Sequence, residues 1–191
     1  MRILTGLVIA LAWAGIASAQ ETGCAYDPQA FVAQDYETFN TAPEGWQALA
    51  INDCYIEAAE AISAWHRAHA SDLSADQLRT LTWNAGLMRG AGGDYQSAIF
   101  LFRQTFPERG QAAAGHYYTY AMIAFLERDR EGLQRVRDAL ASMPEPEGGV
   151  PNGADWPPNL QSVDNLLTCF DSPFGWAVAG YCGDEAEAAA E

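Results

Sequence analysis

From residue 46 onward, apolar side chains recur at intervals of three and four, and no segment alternates apolar and polar residues as a half-buried strand must. Trp46, Leu49, Ala50, Cys54, Ile56, Ala58, Ala61, Ile62 and Trp65 follow this spacing across 46–69, which predicts one helix with a single buried stripe. Ser74-Ala75-Asp76-Gln77 has the capping-box pattern, in which Ser and Gln satisfy each other's exposed backbone N–H groups. It opens a second helix through Leu78, Leu81, Ala85 and Leu87, ended by Gly90-Ala91-Gly92-Gly93. Asp94 caps a third helix that runs through Phe106 and stops at Pro107. Two more are expected near 112–126 and 130–142, joined by the polar turn Arg128-Asp129. The fold class this implies is all-α.

The flanks are less regular. Residues 21–40 have room for one brief helix, anchored by Phe31, Tyr36 and Phe39 and broken by Ala42-Pro43-Glu44-Gly45. Residues 143–158 hold five prolines and three glycines and are expected to form an extended loop. Helical spacing returns over 159–169 through Leu160, Val163, Leu166 and Leu167. Phe174, Trp176 and Tyr181 then belong to a loop-like end, and 184–191 reads as a frayed acidic tail.

Residues 1–19 have the form of a secretory signal: Arg2, an uncharged and mainly apolar stretch over 3–16, and the small-residue cleavage pattern Ala17-Ser18-Ala19. The apolar run is shorter than the roughly 20 residues a membrane span needs. Cys24 stands behind Gln20-Glu21-Thr22-Gly23, too far from the apolar run to be a lipidated first residue. The expectation is cleavage after Ala19, a single domain over 20–183, and a periplasmic or secreted location. In such a compartment four cysteines pose a disulfide question with three possible pairings. The local pairs Cys24–Cys54 and Cys169–Cys182 are favoured because each ties an irregular segment to a neighbouring helix. No close C-x-x-C pair supports a zinc site.

Composition removes several functions. The chain carries 10 Lys+Arg against 25 Asp+Glu, with no Lys at all, for a formal charge of −15. A nucleic-acid backbone or an anionic membrane surface is a poor partner for such a chain. A 49% hydrophobic share excludes a mostly disordered protein.

The stretch 82–102 contains Gly86 in one predicted helix, Gly93-Asp94-Tyr95 at the turn, and Ala98 and Phe102 in the next helix. It resembles a tetratricopeptide repeat without gaps. Small residues at these positions let two helices approach while the aromatic fills the space beside them. A fainter copy begins near Tyr117, with Tyr120 and Ala121 in its first helix and Asp129 in its turn. Gly132, Leu133, Val136, Ala139 and Leu140 follow in its second, so the resemblance covers about 79–143. It implies a short right-handed array of antiparallel helical hairpins. Two hairpins cannot normally bury their own faces, so the helices at 46–69 and 159–169 are expected to act as caps stabilised by the disulfides. The chain is also similar to small exported bacterial proteins of unassigned function, with Gly45-Trp46 before one helix and Trp156-Pro157-Pro158-Asn159-Leu160 before another.

By position in the repeat, the resemblance implies that Trp83, Leu87, Tyr118 and Met122 line a groove for an extended peptide or a partner helix. The competing possibility is that the 143–158 loop or a capping helix covers this face and makes these residues core. Family members that grip a C-terminal carboxylate use Lys and Arg there, and this chain has no Lys. His66 and His69 lie one turn apart without the H-E-x-x-H arrangement, and read as a solvated helix end. Asp53, Glu57 and Glu60 share a helix but show no acid/base spacing. Arg128, Arg130, Arg135 and Arg137 interleave with Glu127, Asp129, Glu131 and Asp138 as a salt-bridged face. No phosphate loop, nucleophile elbow or dinucleotide fingerprint occurs. The expectation is an exported, non-catalytic helical module that binds a protein or peptide, without metal or cofactor. The alternatives are a cell-envelope hydrolase with an unrecognised carboxylate or His site, and a structural protein whose groove its own loop fills.

Overall fold

A computed structural model describes residues 23–106, 114–150 and 154–182, and its regular structure there consists of helices alone. The expected leader and its cleavage site, the stop at Pro107, the start of the 112–126 helix and the 184–191 tail lie outside the described residues. So do positions 151–153 of the proline-rich loop.

Two short helices, α1 (Pro28–Val32) and α2 (Tyr36–Thr41), replace the single one expected before residue 42. Each begins at its own aspartate: Asp27 accepts from the N–H of Gln29 at 2.9 Å, and Asp35 from that of Thr38 at 3.0 Å. The helix expected over 46–69 is likewise two, α3 (Gln47–Ala50) and α4 (Tyr55–His69). Between them Ile51 points into solvent and Asp53 turns the backbone at φ 59°. The buried stripe continues across this break because Leu49 and Cys54 both remain in the core.

The capping box is formed as expected. Ser74 N–H donates to Gln77 Oε1 at 2.9 Å and Gln77 N–H to Ser74 Oγ at 3.2 Å, opening α5 (Ala75–Ala91). Gly93 makes the turn at φ 83°, and Asp94 caps α6 (Tyr95–Gln104), which ends two residues short of Phe106. α7 (Ala114–Leu126) and α8 (Arg130–Ala141) are joined through Arg128 at φ 60°, with Asp129 accepting from Gly132 N–H at 2.8 Å. α9 (Leu160–Thr168) falls within the helical segment expected over 159–169. The loop-like end is instead a last helix, α10 (Phe174–Ala179), ended by Gly180 at φ 86°.

Consecutive helices pack side by side in two groups, α4–α5–α6 and α7–α8–α9, and α10 bridges them by packing on both α9 and α5. Two cores result: the first is built from α2 to α5, and the second from α7 to α10 together with Ala98, Ile99 and Phe102 of α6. In the first, Phe39 stacks on Trp65 with ring centroids 5.0 Å apart, and the Trp65 indole N–H donates to the Gln34 carbonyl at 3.0 Å. In the second, Phe125 and Phe174 lie 5.9 Å apart between α7 and α10. Removing one such large side chain from water contributes about 1.5–3 kcal/mol. Leu87 on α5 packs against both cores.

The bridges are the local pairs, Cys24–Cys54 and Cys169–Cys182, with Cα–Cα separations of 5.4 and 4.8 Å. Among the described residues no helix is long and apolar enough to cross a membrane. The arginines near α8 are held by carboxylates: Arg137 Nε donates to Asp164 Oδ1 at 2.8 Å, and Arg135 lies 3.6 Å from Asp129.

Candidate functional site

One face of α5 carries Asp76, Arg79, Thr80 and Trp83, spaced by helical turns that begin at the capping box. Across from it stand His116, Tyr118 and Thr119 from the start of α7, Thr105 at the end of α6, and Asn159 at the head of α9. Together they enclose an open cleft of about 540 Å³. Its back wall is aromatic, with the Trp83 and Tyr118 rings 6.2 Å apart and Trp83 also 6.1 Å from Phe102. The rim is polar. Arg79 pairs with Asp76 one turn away, and the Thr105 hydroxyl donates to the Phe102 carbonyl at 2.7 Å.

Burial raises the Tyr118 phenol above its ordinary value, and a hydrogen bond with Ser162 on α9 opposes that shift. Burial likewise raises Tyr36, opposed by a hydrogen bond with Thr80 on the rim. Tyr118, the tyrosine that lines the cleft, is therefore neutral at physiological pH and presents a ring face and a hydroxyl group rather than charge.

Of the four residues placed in a groove by repeat position, the structure brings Trp83 and Tyr118 together on the cleft wall. Leu87 lies deeper, against both cores, and Met122 is fully buried at 0% exposure. Met122 therefore offers no surface to a partner. This corrects the expectation for that position, and the reason is that Ala121 to Leu126 is buried on every side. Gly86, Ala98 and Phe102 sit at the α5–α6 contact, where a Cβ on Gly86 would stand 3.0 Å from the Phe102 ring. Comparison with protein-family profiles, curated proteins and solved structures returns no match. The site is therefore read from its own geometry.

Beyond Asp76 and Arg79, whose place near the α5 cap was legible but not their part in a cleft, sequence reasoning missed Thr80, Thr105, His116, Thr119 and Asn159. Asn159 is set by a left-handed backbone at φ 66°, for which Asn is a favoured residue after Gly, but the rest carry no local signal. The two histidines one turn apart are not equivalent. His69 stacks on Trp65 at 4.2 Å, and its Nε2 lies 2.9 Å from the Val32 carbonyl, so it joins α4 to α1 rather than ending in solvent. Among the described residues no group of three or more His, Cys, Asp or Glu side chains is placed to hold a metal ion.

Proposed function

We propose that this chain is an exported, non-catalytic module of stacked helical hairpins of the tetratricopeptide kind, and that it holds an extended peptide segment of another protein in the cleft between α5 and α7. The observation that carries this reading is the Trp83–Tyr118 pair, two half-buried rings side by side at the back of an open, polar-rimmed cleft. A pair of aromatic faces suits an apolar anchor side chain, while the Arg79 guanidinium, with donors beyond its pairing to Asp76, suits peptide carbonyls. A formal charge of −15 favours a partner segment that carries arginine or lysine beside that anchor. Two disulfides suit an oxidising compartment, in keeping with a cleaved leader and a periplasmic or secreted location.

The test is selection from a displayed random-peptide library against the oxidised protein, with Thr80→Arg and Thr80→Ser in parallel. Thr80 is exposed on the rim, so arginine there narrows the cleft and repels a basic peptide while the core is untouched. The reading expects basic peptides with an aromatic or large aliphatic anchor. They should bind wild type and Thr80→Ser alike and Thr80→Arg about tenfold more weakly. Selected peptides that ignore Thr80→Arg, or no enrichment at all, would overturn it.

A further inference from the structure

A second cavity, of about 690 Å³, lies away from the peptide cleft, where α10 meets the beginning of α4 and the end of α5. Its walls include Asp53 and Tyr55 from the first group, Trp176 and Tyr181 from the chain's last described turn, and a floor of Ala91 and Gly175. The floor is shallow in side chain because the helices touch almost backbone to backbone: a Cβ on Gly175 would stand 3.5 Å from the Cβ of Ala91. Among the described lining residues no aliphatic side chain is larger than alanine.

Trp176 and Tyr181 meet at an interplanar angle of 74° with centroids 5.9 Å apart, giving two adjoining walls close to a right angle. Tyr55 adds a third ring, and its hydroxyl donates to Asp53 Oδ1 at 2.7 Å. That bond is the largest reason the Tyr55 phenol stays above its ordinary value. Rings and one carboxylate both favour positive charge.

We propose that this cavity binds a small quaternary ammonium cation, a trimethylammonium group of the choline kind, in a cage of Tyr55, Trp176 and Tyr181 closed by the Asp53 carboxylate. Aromatic faces attract such a cation through their quadrupoles, and it needs no hydrogen-bond acceptors. A primary ammonium has three N–H donors to satisfy, whereas the lining offers one carboxylate, Asp53, and is otherwise mainly aromatic. The cavity volume falls within the roughly 300–1,000 Å³ of small-molecule sites. Both bridges hold the cage: Cys54 lies between Asp53 and Tyr55 in sequence, and Tyr181 immediately precedes Cys182.

The experiment is calorimetric titration of the oxidised protein with choline and with 3,3-dimethylbutan-1-ol, its uncharged isostere. Saturable choline binding is expected, with the isostere about tenfold weaker. Asp53→Asn keeps a residue suited to the left-handed backbone while removing the charge, and Tyr181→Leu changes a side chain that is half exposed. Each should weaken choline about fivefold or more with unchanged circular dichroism. Equal binding of choline and the isostere, indifference to both substitutions, or no choline binding would overturn the proposal. Co-sedimentation with phosphatidylcholine vesicles, reversed by free choline, would assign the group to a lipid headgroup. Choline binding without sedimentation would assign it to a free solute.

Discussion

A Cβ built on Gly90 would stand 2.6 Å from Cδ1 and Cε1 of Phe174, closer than a side-chain carbon can approach a ring. The missing Cβ is what lets α10 lie against α5. Gly90→Ala gains about 1 kcal/mol of helix propensity and, at a contact this close, loses about 2–3 kcal/mol to overpacking. The expected net is a loss of about 1–2 kcal/mol in urea unfolding, with hydrogen-exchange protection falling first over 174–179. Uniform protection and unchanged stability would contradict the close contact.

Gly86 stands over Phe102 in the same way but less tightly, at 3.0 Å. Alanine there should be near neutral, because ring movement of a few tenths of an ångström is offset by helix propensity. Leucine should cost a few kcal/mol, about 3. Comparing the midpoints of the two variants separates hairpin packing from a generic glycine effect.

Arg128 adopts a left-handed backbone, and its guanidinium lies 4.3 Å from the Phe170 ring centroid while donating to the Phe170 carbonyl. Arg128→Ala loses the ring and carbonyl contacts, about 2 kcal/mol together, and keeps the backbone cost. Arg128→Gly loses the same contacts but relieves about 1 kcal/mol of backbone strain. Glycine should therefore be the milder change, and thermal melts that rank them the other way would disprove the account.

Asp35 caps α2, and hydrogen bonds from Thr38, backbone first and hydroxyl second, hold its carboxyl below the usual range. A depressed carboxyl contributes stability that is full above the unfolded value of about 3.9 and is lost as pH falls through the lower folded value. Asp35→Asn keeps a capping oxygen, so stability near neutrality changes little while the acid limb flattens. Urea unfolding of both proteins, from about pH 6 down to about pH 2, reads this difference as a smaller slope in the variant.

The bridges close loops of different length, with separations of 30 and 13 residues. On the chain-entropy account they contribute about 4 and about 3 kcal/mol. Paired Cys→Ser variants should show the first bridge costing more when lost, and peptide mapping of the unreduced protein should return no crossed pair.

The helix ends were legible where the signal is local. Ser74 with Gln77, Asp94 and Asp129 each form the cap their neighbours imply. The break before Tyr55 was not, because the spacing of buried residues runs through it while only the backbone at Asp53 departs. α10 has six residues, too few for a period to declare itself. Trp83 and Tyr118, two of the residues expected to share a groove, stand together on one cleft wall. The burial of Met122 was not legible, since a helix apolar on all sides gives no stripe that marks its inner face. The second cavity gathers positions 53–55 and 175–181, which no local pattern connects.

Those same positions adjoin Cys54 and Cys182, one half-cystine from each bridge. A nascent polypeptide with reduced thiols has two unfastened walls, and each bond that closes fixes one of them. Reduction of either bond would therefore release one wall of the proposed cage, which ties any binding there to the oxidised state of the protein.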